Sequence, residues 1–166
     1  MAAHRNNLWE SCSQAICELN VTRELLLAGA DPNTKAGCNN WTCLMEAIWG
    51  SQEEVVDLLL AQPGLDVNAK NNNNSTALHY ACEFDLYSMD YACVIRNRNR
   101  NIAILSKLLA VPEILVNERD SKGWTPIMRA IYSRKPEAVR MMAAVEEVDL
   151  DVRCNNGRSL EDLAHR

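Results

Sequence analysis

Gly123-Trp-Thr-Pro-Ile-Met-Arg-Ala130 has two earlier counterparts in the chain, Asn40-Trp-Thr-Cys-Leu-Met-Glu-Ala47 and Asn74-Ser-Thr-Ala-Leu-His-Tyr-Ala81. Gly157-Arg-Ser-Leu-Glu-Asp-Leu-Ala164 is a weaker later copy. Thr42 and Thr76 stand 34 residues apart, Thr76 and Thr125 stand 49 apart, and Thr125 and Ser159 again 34 apart. A second signal precedes each copy: Asp31-Pro-Asn33, Asp66-Val-Asn68, Leu115-Val-Asn117 and Asp151-Val-Arg153. The chain therefore repeats every 33–34 residues, with one insertion of about fifteen. A fixed period of that length is the mark of stacked supersecondary units.

Each copy reads as the start of a helix. Thr42, Thr76, Thr125 and Ser159 carry hydroxyls that can cap free backbone N–H groups at a helix start. Two residues earlier stand Asn40, Asn74, Gly123 and Gly157, the residue types that most readily take positive φ, so a tight turn is expected there. Pro126 falls just inside its helix, where a missing N–H costs nothing. Within these first helices Leu44/Ala47/Ile48, Leu78/Ala81/Cys82 and Ile127/Ala130/Ile131 recur at i, i+3, i+4 and define one buried face. Second helices follow with Val55/Val56/Leu59/Leu60, Ile104/Leu105/Leu108/Leu109 and Val139/Met142/Ala143. One helix pair is too small to bury its own apolar face, whereas stacked pairs share a continuous core.

These motifs resemble the ankyrin pattern, in which G-x-T-P-L-H-x-A opens a first helix and L-L-x-x-G-A-D-V-N closes a second. Leu26-Leu-Ala-Gly-Ala-Asp-Pro-Asn33 and Asp120-Ser-Lys-Gly-Trp-Thr-Pro126 are close matches, and the likeness runs from about Leu8 to Ala164. Cys43 and Ala77 replace the family's Pro, Met45 and Met128 its His, and Arg153 its Asn. The resemblance implies an all-α ankyrin-repeat solenoid of about 4.5 helix-turn-helix units joined by short hairpin loops. Residues 1–36 then form an N-terminal capping repeat, with helices at about 7–18 and from Val21 to Ala28, ended by Gly29. Residues 37–70 form repeat two, 71–119 repeat three with the insertion at about 85–101, and 120–154 repeat four. Residues 155–166 supply a first helix only. Alone it would leave Leu160 and Leu163 half covered, which points to a minimal cap or, the preferred expectation, a chain cut from a longer one.

Composition narrows the function classes. With 48% hydrophobic residues, disorder is not expected. A net charge of −5 disfavours nucleic-acid binding by bulk electrostatics. The cysteines number seven, an odd count, and no CxxC pair occurs, so they read as reduced thiols in an intracellular protein. A zinc site is not expected, because only His79 lies near a cysteine, Cys82. No apolar run reaches membrane-spanning length and no secretory signal opens the chain, so a cytoplasmic setting, with the nucleus as alternative, is expected. There is no phosphate loop, HExxH or nucleophile elbow. No catalytic residue, cofactor, metal or small-molecule substrate is therefore expected.

The resemblance implies a protein or peptide partner, gripped by hairpin tips and the inner helix face. Trp41, Ser75, Trp124 and Arg158 precede the capping hydroxyls and fall at tips. Trp49, Glu83 and Tyr132 lie two residues after each buried Ala, and Glu46, Tyr80 and Arg129 lie just before it. Aromatics and Arg dominate interface hot spots. Two readings stand: an aromatic groove around Trp41, Trp49, Trp124 and Tyr132, or tips whose tryptophans merely stiffen the stack. Arg96, Arg98 and Arg100 in the insertion read as a solvated loop, with docking of an acidic peptide or nucleic-acid phosphate as alternative. His79 matches the family's structural His, bonded to a turn backbone. Asn68 reads first as a residue bonded to the hairpin backbone; Leu60-Ala-Gln-Pro-Gly-Leu-Asp-Val-Asn68 is also similar to sites that an asparaginyl hydroxylase accepts, which makes Asn68 a candidate for modification as well. The alternative function is the recruiting part of a larger signalling or ubiquitin-ligase adaptor.

Overall fold

A computed structural model describes residues 19–83 and 101–165. The first helix at 7–18, Cys12, Cys17, most of the insertion and Cys93 lie outside the described residues. Helix α1 spans Leu19–Leu27, and a two-stranded antiparallel ribbon pairs β1 (Lys35–Ala36) with β2 (Trp41–Thr42). Then come α2 (Cys43–Trp49), α3 (Glu53–Leu60), α4 (Ala77–Glu83), α5 (101–109), α6 (Pro126–Tyr132), α7 (Pro136–Ala143) and α8 (Leu160–Ala164). First helices pack in sequence, α2 on α4, α4 on α6 and α6 on α8. Second helices back them, α3 against α2 and α7 against α6, with α1 on α3.

The helix starts follow the hydroxyl rule unevenly. Thr42 Oγ1 accepts from Met45 N, and Ser159 forms a reciprocal capping box with Asp162. At Thr76 the cap is His79: its Nδ1 accepts the Thr76 amide at 3.1 Å. Thr125 makes no side-chain cap, and its buried hydroxyl has no partner among the described residues; Met128 stands where His79 stood. The expected left-handed turns occur at Asn40, Asn74, Gly123 and Gly157, with φ of 51°, 54°, 73° and 75°. Two more, Ser51 and Arg134, close α2 and α6 at φ 53° and 54°. At each, the next amide bonds back five residues, Gln52 to Ala47 and Lys135 to Ala130, satisfying helix-end carbonyls.

The core runs between the layers. Leu44, Ile48, Val56 and Leu59 meet Leu78, Ile104, Leu105 and Leu108, and these meet Ile127 and Met142, all fully buried. Ala47, Ala81 and Ala130 are also buried, their small side chains letting first helices approach. Met128, Val152, Cys154 and Leu163 form a second cluster under α8. Leu163 is thus buried, not half covered as expected, while Leu160 is half-buried.

Asparagines link successive second-helix loops. Asn33 Nδ2 donates to the Gly64 carbonyl while Oδ1 accepts from Asp66 N. Asn68 repeats this with Glu113 and Leu115, and Asn117 with Glu147 and Asp149. The same frame corrects one expectation. Asp151 N bonds the Asp149 carboxylate just as Asn68 N bonds that of Asp66. Asp151, not Arg153, therefore occupies the asparagine position: Asp149-Leu150-Asp151 aligns with Asp66-Val67-Asn68, and Asp151-Val152 is a second match two residues out of frame. Arg153 instead matches Lys70 and Arg119, two places later.

Gly123 and Gly157 share positive φ, but a Cβ on Gly123 would overlap the Asn155 side chain and come within 2.8 Å of its backbone nitrogen. A Cβ on Gly157 meets nothing within 4 Å. Gly157→Ala is expected to cost about 1 kcal/mol of backbone strain. Gly123→Ala adds a clash between repeats, for at least about 2 kcal/mol in all. Urea denaturation of both variants checks the ranking, and equal costs would contradict it.

Candidate functional site

Nine residues separate a hairpin position from a helix position in each repeat, and these pairs build one face of the stack. In repeat three the pair is Asn71 and Tyr80. Asn71 Oδ1 accepts the Asn73 and Ser75 amides, shaping the loop, and Nδ2 donates to the Tyr80 hydroxyl at 2.7 Å. In repeat four it is Asp120 and Arg129. Asp120 Oδ1 accepts the Lys122 and Trp124 amides at 2.8 and 2.9 Å, and Oδ2 takes the Arg129 guanidinium. Arg129 reaches back across the repeat boundary to the Glu83 carboxylate and to Ser75 Oγ. In the last unit the pair is apolar, Cys154 over Leu163, both buried. In repeat two it is Gly37 and Glu46, so the glycine offers Glu46 no side-chain partner.

The aromatic residues gather in two groups around these pairs. Trp41 lies 4.5 Å from Tyr80 and 5.6 Å from Trp49 between ring centroids, and Trp49 meets Tyr80 edge-on at 6.2 Å. Two repeats on, Trp124 and Tyr132 meet at 4.7 Å. Lys122 Nζ and the Arg129 guanidinium lie 5.7 and 6.0 Å from the centre of the Trp124 ring, within cation–π range. An open recess of about 450 Å³ follows, lined by Glu83, Lys122, Trp124, Arg129, Tyr132 and Asn155 among others.

The expected tip and helix positions divide by depth. Trp49 is 48% exposed and Tyr132 40%, while Trp41, Glu46, Glu83, Trp124 and Arg129 are half-buried. Arg158 is exposed. Ser75 is 0% exposed and Tyr80 6%, so the expectation that both lie open does not hold. Ser75 is drawn inward as an acceptor for Arg129, and the Tyr80 hydroxyl turns in to Asn71. Arg96, Arg98 and Arg100 lie outside the described residues. Asn68 is half-buried with both ends of its amide bonded to the next repeat. Asp120, Lys122 and Asn155 were not singled out from sequence. The nine-residue offset, repeated with changing residue types, was the signal that could have found Asp120.

His79 bridges repeats. The Thr76 amide can only donate, so Nδ1 is the acceptor and Nε2 carries the proton, which it gives to the Trp124 carbonyl at 3.0 Å. Burial pushes its pKa down to about 4. Burial likewise raises the Cys43 thiol to about 12 and the Cys82 thiol further, and holds the Glu46 carboxyl above the usual carboxylate range. Cys38, Cys43, Cys82 and Cys154 are free thiols. Among the described residues no three His, Cys, Asp or Glu side chains converge as around a metal ion. No described helix is long and apolar enough to cross a membrane.

Comparison with protein families matches residues 12–94, half of the chain, to "Ankyrin repeats (3 copies)". The chain belongs to the ankyrin-repeat family, whose members are generally protein-interaction modules. No curated protein matches it.

Proposed function

We propose that this chain is a protein-binding module with no catalytic role, gripping a partner protein through its hairpin tips and the exposed face of its first helices. The observation that carries this reading is the pair of exposed rings, Trp49 and Tyr132. They occupy the same position two repeats apart, each on a bed made by the half-buried tryptophan of its own hairpin tip. Large rings held rigidly at low entropic cost are the side chains that dominate interface energetics. Trp41 and Trp124 serve as that bed: packed against Trp49 and Tyr132, they fix the rings' orientation. The buried free thiols fit an intracellular setting.

Affinity capture from cells tests the reading, with the wild-type chain set beside Trp49→Ala/Tyr132→Ala. Each ring sits at the surface, so the double variant is expected to keep its helical dichroism and lose its partner at least about tenfold. Undiminished recovery by a folded double variant would end the proposal.

A further inference from the structure

At the helix position of the nine-residue pairs, Tyr80, Arg129 and Leu163 each have a matched hairpin side chain: Asn71, Asp120 and Cys154. Glu46 has Gly37 instead. Gly37 has positive φ and open space around it, so nothing from the hairpin fills the place. The Glu46 carboxylate makes no hydrogen bond or ion pair among the described residues. Yet it is half-buried, one helical turn from the exposed ring of Trp49. Trp41 packs on Trp49 from the tip, and Tyr80 closes the side toward the next repeat. Burial desolvates the Glu46 carboxyl in part, so a counter-charge brought by a partner is favoured there. Glu46 and Trp49 stand three residues apart on one helix, hence as neighbours on its surface, and aromatic rings attract cations through their faces, so both features favour a cation.

We propose that Glu46, Trp41 and Trp49 form a subsite for one cationic side chain, lysine or arginine, presented by the bound partner. It completes from outside a pairing that repeat four makes internally between Asp120 and Arg129. Burial holds the Glu46 carboxyl above the usual carboxylate range, and a cation seated beside it would draw it back down. The repeat-four rings offer no equivalent, because Glu83 beside them is already taken by Arg129. The proposal rests on the docking face described above and specifies the chemistry that face selects.

A random-peptide display library selected on the 166-residue chain tests it. Sequences that depend on Trp49 and Tyr132 are expected to share a Lys or Arg at one position. Synthetic versions are expected to bind Glu46→Gln about tenfold more weakly. Replacing their basic residue by norleucine should have the same effect, and norleucine should then cost nothing further against Glu46→Gln. Glu46→Lys is expected to reject the basic peptide and accept its Glu-substituted form. Trp49→Phe, a milder change that keeps a ring, should retain part of the affinity. Selected peptides without a basic residue, or with equal affinity for Glu46→Gln, would overturn the cation subsite and leave the docking face standing. If no selected sequence depended on Trp49 and Tyr132, both proposals would fall.

Discussion

Asp120→Ala is expected to lower stability by about 3–5 kcal/mol, because it strips a buried guanidinium of its main counter-charge. The Arg129 side chain is 13% exposed and that of Asp120 1%. Glu83 stays beside Arg129, but at 31% exposure it is the more solvated carboxylate, so the guanidinium loses its buried partner and keeps only partial compensation. Asp120 also holds the Lys122 and Trp124 amides, so its loss loosens the tip that carries the repeat-four aromatic group. The preceding repeat supplies a rescue. Asp120→Asn/Arg129→Tyr copies the neutral Asn71–Tyr80 pair, with an asparagine oxygen for the two amides and an amide N–H for the phenol. Urea denaturation of the two singles and the double forms a cycle. The double is expected to be more stable than the sum of its singles by at least about 1 kcal/mol, and additive costs would refute the pairing.

The second large effect is a loss of stability on acidification, carried by His79. Its folded pKa lies at about 4, below the ordinary 6.5. Between those values the unfolded chain binds a proton that the folded chain refuses, so stability rises with pH across the window. The contribution is fully present above pH 6.5 and is lost as pH falls toward 4. The shift corresponds to roughly 3 kcal/mol over the window. Protonation would put a hydrogen on Nδ1, where the Thr76 amide already donates. His79→Leu is expected to cost about 2–3 kcal/mol at pH 7, since it leaves the Thr76 N–H and the Trp124 carbonyl short of partners. In return its stability should fall less than that of the wild type between pH 6.5 and 4. Carboxylates add their own acid dependence to both proteins, so the difference between the two curves is the measurement. Parallel curves, or a His79 ring proton titrating near 6.5 by NMR, would contradict the assignment.

Much of the architecture was legible because a 33–34-residue period repeats features that are local. A hydroxyl before a helix, a turn residue two places earlier and an i, i+3, i+4 apolar face each act within a few residues. Asn40, Asn74, Gly123 and Gly157 accordingly took the turns assigned to them. Burial of the variable positions depends on partners in other segments, and there the reading failed. Ser75 looked like an open tip residue, and only Arg129, 54 residues later, explains why it is sealed. Tyr80 looked like a contact residue because tyrosine is common at interfaces, but Asn71 claims its hydroxyl. An aspartate at the asparagine position, Asp151, hid the true frame, because Asp151-Val152 offers a second Asp-Val match two residues further on. Ser51 and Arg134 gave no warning of their left-handed backbone, since neither is a glycine.

The asparagine clasps imply a particular response to pulling. Asn33, Asn68 and Asn117 each fasten one loop to the next by two bonds, one at either end of a single amide, and they follow one another along the stack. Tension applied between the two ends of the molecule is borne by these fasteners in series, each feeling the full load. Yielding of any one frees a single unit while its neighbours stay folded, so extension is expected to proceed in separate steps of about one repeat each.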